Sequence, residues 1–174
     1  MEQDSEPEPL LCWTIKIAGV SGSGKTTLLN MIEQSYTLGC TTITYSSFLQ
    51  RYGTKELADN QVKQVLANSK GLVLMDEHLE FENPQRATNY IRENTRGLII
   101  LEPPLNDILE RIKADTNKLR KIDAQQILPD LAMSKLRGLE IAELTGIQLL
   151  FLTNGNGDLE ETVQKTIQFI ERIQ

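Results

Sequence analysis

The chain has 174 residues, 40% of them hydrophobic and 24% charged, enough for one domain that buries a sizeable core. Eighteen Lys and Arg stand against 24 Asp and Glu, a net charge of -6, the wrong sign for generic attraction to nucleic acid or an anionic membrane surface, so a bound anion must be held locally. No apolar run approaches the roughly 18 residues of a membrane span, and the start is acidic where a secretory signal would be basic, which predicts a soluble, cytoplasmic protein with no membrane or nucleic-acid partner.

Residues 1–10 carry Glu2, Asp4, Glu6 and Glu8 beside Pro7 and Pro9, and read as a disordered acidic tail ahead of a single domain at 11–174. The apolar, β-branched run "LCWTIKIAG" predicts the first strand, with a helix from Lys25 to about Gln34 directly after it. "TTITYSS" reads as a second strand, followed by a helical stretch through Leu49 that pauses at Gly53 and resumes from Lys55 to Asn68, with Gly71 closing it. "LVLMD" is the third strand and "NPQRATNYIREN" a helix, with Asn83 as cap, Pro84 at its first position and its end near Gly97. "LIILE" is the fourth strand, ending at Glu102. A helix follows from about Leu105 until the basic segment "KADTNKLRK" interrupts its apolar spacing. A long helix then covers about Asp123 to Leu144, with Gly146 after its end; "IQLLFLTN" is the fifth strand, and a last helix is capped by Asp158. Short apolar strands alternating with helices predict a three-layer α/β/α sandwich around a five-stranded parallel sheet. Cys12, placed before the first strand, and Cys40, in a loop, show neither disulfide nor metal-ligand spacing.

The chemistry concentrates in "GVSGSGKT". Gly19, Gly22 and Gly24 permit the backbone turns that aim successive N–H groups, including those of Ser21, Ser23 and Thr27, at phosphate oxygens. Lys25 bridges the outer phosphates, the Thr26 hydroxyl takes a Mg²⁺ position, and the helix that opens there adds its positive dipole end. The expected ligands are ATP and Mg²⁺. Asp76, ending an apolar strand, is the candidate for the second metal contact, and Glu77 a carboxylate that orients either water or a hydroxyl. His78, the only histidine, is as readily a backbone-bonded loop residue as a catalytic one.

The order of these parts resembles the nucleoside monophosphate kinase superfamily of P-loop proteins, in detail most like the archaeal-type adenylate kinases. "GVSGSGKTTLL", "LIILEPPLNDILERIKADTNKLRK", the long helix ending "AELTG" and "IQLLFLTN" carry the likeness, over roughly half the chain. The resemblance implies that Arg111 and a small basic lid at about 114–122, with Asp115, Lys118 and Arg120, close over the triphosphate. It also implies that the loop after the last strand, with Asn154, receives adenine. Lys118 stands where the family has an arginine, and so does Lys135 on the long helix, with Arg137 nearby. The acceptor half departs further. The stretch between Phe48 and Asp76 is too short for the family's monophosphate-binding insertion, and Glu82 stands where the family grips the acceptor phosphate with an arginine. Turning that attraction into repulsion costs on the order of 4 kcal/mol per charge pair. Arg51, Arg86, Arg92 and Arg96 are the cations left on that side.

Three readings follow: a small kinase moving the γ-phosphoryl of Mg²⁺-ATP to a nucleotide or other small acceptor, an NTPase in which Glu77 places water, and a nucleotide-binding module without turnover. A guanine-specific switch is disfavoured by the absence of an "NKxD" pattern after the fourth strand.

Overall fold

Alternate residues of an apolar strand face opposite sides of a sheet, and a run buried on both sides must lie inside one. Cys12–Ala18 (β1) meets that condition with all seven residues buried. The computed structural model describes residues 11–79, 86–115 and 124–174, so the tail at 1–10 and most of the lid segment lie outside the described residues. In chain order β1 is followed by α1 (Lys25–Ser35), β2 (Thr41–Ile43), α2 (Tyr45–Tyr52), α3 (Lys55–Asn68), β3 (Gly71–Glu77), α4 (Arg86–Arg92), β4 (Thr95–Leu101), α5 (Leu105–Ala114), α6 (Ala124–Thr145), β5 (Gln148–Leu152) and α7 (Leu159–Ile173). The strands form one sheet in the order β2-β3-β1-β4-β5, every pair parallel.

The odd residues of β1, Trp13, Ile15 and Ile17, join Leu28, Leu29 and Ile32 of α1 and Val163, Phe169 and Ile170 of α7 on one face. On the other, Val62 and Leu66 of α3 pack on Val73 and Met75, while Tyr90 of α4 and Ile141 of α6 pack on Leu98 and Ile100. This is the expected three-layer sandwich. Each fully buried Ile or Leu contributes about 1.5–3 kcal/mol, so the two faces supply most of the favourable folding term.

Four local expectations give way to tertiary contacts. Tyr45, Ser46 and Ser47 are helical rather than extended, because the Asp76 carboxylate accepts the Tyr45 N–H at 2.6 Å and starts α2 from the end of another strand. Gly71 opens β3, opposite Cys12, and α3 ends instead at the extended Ser69. Gly97 lies inside β4; the left-handed residue that follows α4 is Asn94, φ 50°, whose side chain donates to the Cys12 carbonyl at 2.8 Å. Cys12 itself is the first residue of β1, with its thiol donating to the Leu66 carbonyl, and both cysteines are free. The proposed Asn83 cap and Pro84 lie outside the described residues.

Gly138 sets how closely α6 approaches the sheet. A Cβ there would press on Ile100 Cδ1 and lie 3.3 Å from Ile100 Cγ1 and 3.6 Å from Leu98 Cδ2. Gly138→Val is expected to cost about 2 kcal/mol through overpacking, lowering the urea midpoint without changing the slope.

Candidate active site

A parallel sheet gathers the carboxyl ends of its strands along one edge, and here that edge holds the turn after β1, the end of β3 and the loop after β5. The turn runs from Gly19 to Gly24 and is locked by the Ser23 N–H on the Val20 carbonyl at 3.1 Å. Gly24 has φ +93° and passes so close to the Asn154 amide that a Cβ would collide with it; Gly19, φ +156°, would meet the Ser23 hydroxyl at 2.5 Å. Only glycine fits at both points. Gly24 also caps α1 without a side chain, and the first turn carries no acidic residue, so the helix leaves its positive end uncompensated by its own side chains.

Lys25 is buried, and its ammonium donates to the carbonyls of Gly19 and Val20, the latter at 3.2 Å. Thr26 and Thr27 are exposed at the mouth, and Ser21 is half-buried. Asp76 faces Ile17 of β1 and is buried; beyond accepting the Tyr45 N–H it lies within electrostatic reach of Lys25 and His78. Burial pushes its carboxyl above the ordinary range, the neighbouring Glu77 adds to the rise, and Tyr45, Lys25 and His78 offset it only in part. A cation placed against this carboxylate would relieve the remaining cost. The donor chemistry, a hydroxyl at Thr26 and a carboxylate at Asp76, is of the hard-oxygen kind that suits Mg²⁺. Among the described residues no cluster of three or more His, Cys, Asp or Glu is placed to hold a metal ion.

Glu77 is turned toward the α4 side. One carboxylate oxygen lies 3.3 Å from the Lys16 ammonium and the other accepts the His78 N–H at 3.1 Å. Lys16 also pairs with Glu93 at 2.5 Å and sits 4.3 Å from the centre of the Tyr90 ring. Burial alone would push the Lys16 ammonium down, but Glu77 and Glu93 outweigh it and hold its pKa above the usual value. Sequence reasoning passed over this ion cluster, although a lysine in the middle of an apolar strand was its signal.

Arg111, on α5, ties the loops together. Its guanidinium donates to the Ser23 carbonyl at 3.3 Å, to the Asn154 carbonyl at 2.7 Å and to Asn156 Oδ1 at 3.0 Å. The Asn154 amide in turn donates to the Ser23 carbonyl at 2.8 Å, while Asn154 Oδ1 and the Ser23 hydroxyl are buried without a hydrogen-bond partner. Asp107 and Glu110 hold Asn156 from α5, a support the sequence did not disclose because it depends on two elements far apart in the chain. Asp115 ends α5, whereas Lys118, Arg120 and Glu82 lie outside the described residues, as does the Arg86 side chain. Lys135 reaches Glu102 at 3.3 Å and lies over the Phe151 ring, and Arg137 pairs with Glu140 at 2.5 Å. Arg96 packs on Trp13 and binds the Gln174 carbonyl, Arg51 lies over Tyr52, and Arg92 is exposed in the last turn of α4. None of Arg51, Arg92 and Arg96 is paired with the carboxylates of this edge in any contact described.

No family model matches the chain, and no curated protein matches it in sequence. Solved structures do share its fold. A shikimate kinase from Bacteroides thetaiotaomicron superposes with a TM-score of 0.59 at 15% identity, over 91% of this chain and 98% of that one. A shikimate kinase from Acinetobacter baumannii in complex with shikimate gives 0.58 at 20%, over 92% and 94%, and a gluconokinase from Sinorhizobium meliloti 1021 gives 0.59 at 16%, over 94% of each chain. At these identities the likeness is one of fold: the chain has the α/β architecture of the P-loop kinases.

Because the Asp76 carboxyl titrates above its ordinary value, folding favours its protonated form, and stability falls as pH rises from the ordinary aspartate range through the raised one. Asp76→Asn keeps an oxygen for the Tyr45 N–H and removes the charge. The variant is expected to melt above the wild type at pH 7 and to lose that advantage in acid, where Asp76 is protonated.

Proposed function

We propose that this protein is an ATP-dependent small-molecule kinase, in which the turn at Gly19–Lys25 holds the triphosphate and Thr26 and Asp76 hold Mg²⁺. The observation that carries the reading is the convergence on one sheet edge of an uncapped helix start, the Lys25 ammonium and the buried Asp76 carboxylate. Two buried polar atoms with no partner, the Ser23 hydroxyl and Asn154 Oδ1, lie in the loops that would border the nucleotide, and support the same assignment. The fold shared with two shikimate kinases and a gluconokinase adds to it.

On this reading the first N–H groups of α1 bind the phosphates, and Lys25 exchanges the Gly19 and Val20 carbonyls for the outer phosphate oxygens. Arg111 fixes the purine-side loop through Asn154, and the lid cations Lys118 and Arg120 exclude water that would otherwise compete for the phosphoryl group. Mg²⁺ supplies charge neutralisation on the outer phosphates. The acceptor oxygen attacks the γ-phosphorus in line, the bond to the β-phosphate oxygen breaks, ADP leaves, and the hydroxyl proton passes to a carboxylate at the end of β3.

The acceptor is a hydroxyl compound rather than a nucleoside monophosphate. Asp59 accepts from the Tyr45 hydroxyl at 2.5 Å, Glu77 acts on the same hydroxyl and Asp76 accepts the Tyr45 N–H, so carboxylates gather around Tyr45, and Glu82 adds to them in sequence. On this reading the acceptor differs from that of the archaeal-type adenylate kinases. With Mg²⁺-ATP and a panel of sugars, polyols, hydroxy acids, nucleosides and nucleoside monophosphates, at least one non-phosphorylated hydroxyl compound is expected to become phosphorylated. ADP formed at an equal rate with and without every acceptor, with free phosphate released, would establish the hydrolase instead. Lys25→Ala is expected to abolish turnover while leaving the circular dichroism spectrum unchanged; full activity in the folded variant overturns the assigned site.

A further inference from the structure

The last strand, β5, lies at the rim of the sheet, with only β4 beside it. Such an edge is ordinarily blunted by a proline, a lysine or a bulge, yet β5 reads "QLLFL". The Glu102 N–H binds the Leu152 carbonyl, so the main-chain groups of Leu152, and by alternation those of Leu150, turn toward β4. Those of Leu149 and Phe151 turn outward, and no backbone hydrogen bond described reaches them from another element. Their side chains are half-buried.

We propose that this edge is the interface of a two-fold symmetric homodimer, in which β5 pairs antiparallel with β5 of a second copy about an axis through Leu150. Leu149 then faces Phe151 of the partner subunit and Phe151 faces Leu149 of the partner subunit. All four are outward-turned residues, so the two pairs exchange four main-chain hydrogen bonds.

Both flanks are self-complementary about that axis. The helices α6 and α7 each pack over β4 and β5. With strands about 4.8 Å apart, α6 and its symmetry mate come to lie about 10 Å apart, the spacing of packed helices. From Ile147 to Leu150 is about 10 Å of strand, which matches about seven residues of antiparallel helix and puts the exposed Leu139 level with the axis. Leu139 therefore meets Leu139 of the partner subunit. Lys135 and the exposed Glu143, four residues to either side, come opposite Glu143 of the partner subunit and Lys135 of the partner subunit, the Lys135 ammonium, itself half exposed, keeping its own Glu102 as a second neighbour.

The same spacing on α7 brings Lys165 level with Leu150. Lys165 is paired with Glu161 at 2.6 Å, which lessens like-charge repulsion at the axis. Asp158, seven residues before it, and Arg172, seven after, come opposite Arg172 of the partner subunit and Asp158 of the partner subunit. A groove of about 630 Å³ runs between β5 and α7, lined by Leu150, Phe151, Asp158, Lys165 and Arg172 among others, and receives the partner's α7 side chains. The face is about 30 Å long and 20 Å tall, on the order of 600 Å² per protomer, somewhat below a standard interface and fitting micromolar association. Each copy keeps its own nucleotide site, the two opening at opposite ends of a continuous ten-stranded sheet.

Sedimentation velocity on the full chain, from about 5 to 300 µM, is expected to show monomer giving way to dimer, with slowed hydrogen exchange at the Leu149 and Phe151 amides as dimer forms. Leu139→Arg places like charges at the axis; it is expected to stay folded and monomeric throughout, with both amides exchanging quickly. Glu143→Lys, on the outer surface of α6, is expected to weaken association about tenfold and guards against misfolding of the first variant. Wild type that is monomeric at about 300 µM, or a dimer that survives in folded Leu139→Arg, overturns the proposal.

Discussion

The Lys25 ammonium sits on the Gly19 and Val20 carbonyls inside a turn that only glycine can make, and the rest of that sheet edge is arranged around this knot. A buried ammonium is costly unless it is hydrogen-bonded, and the turn supplies acceptors that a phosphate can replace. Arg111 and the Asn154 amide grip the same turn from outside through the Ser23 carbonyl, linking α5 and the loop after β5 to it. Two segments 88 and 131 residues further along the chain thus grip one short piece of main chain, and movement of any of the three is felt by the others.

Opposite this knot lies a second concentration of buried charge with a different character. Asp76 is held away from its ordinary protonation range by burial and is only partly compensated, a condition that favours capture of a cation. Lys16, by contrast, is fully answered by Glu77, Glu93 and the Tyr90 ring. Removing a partner from such a cluster is costlier than never having built it, so it fixes where Glu77 points and how α4 meets β1. Adjacent residues on one strand are therefore held in different ways: Asp76 lies within electrostatic reach of Lys25, and Glu77 is anchored to the α4 side through Lys16.

The acidic lean of the chain acquires a location in the fold. Asp59, Asp76 and Glu77 gather near Tyr45, whereas Arg96 lies against Trp13 and the chain terminus, away from that edge. Arg111 is committed to carbonyls and Lys135 to Glu102. Charge is thus partitioned, with donors around the glycine turn after β1 and carboxylates near Tyr45.

The sequence by itself determined the order of strands and helices along the chain, the parallel three-layer architecture and the glycine turn after the first strand, because each rests on short-range physics: apolar runs of strand length, helical periodicity, and glycines whose backbone freedom is local. It did not determine where α2 begins, how α4 ends, which way Glu77 faces, or what Arg111 grips. Those depended on groups brought together from distant positions, such as the Asp76 carboxylate capping Tyr45, Asn94 reaching Cys12, and Asn156 held by Asp107 and Glu110. The tertiary structure alone decided them, since a hydrogen bond across the sheet leaves no periodic trace in the chain that makes it.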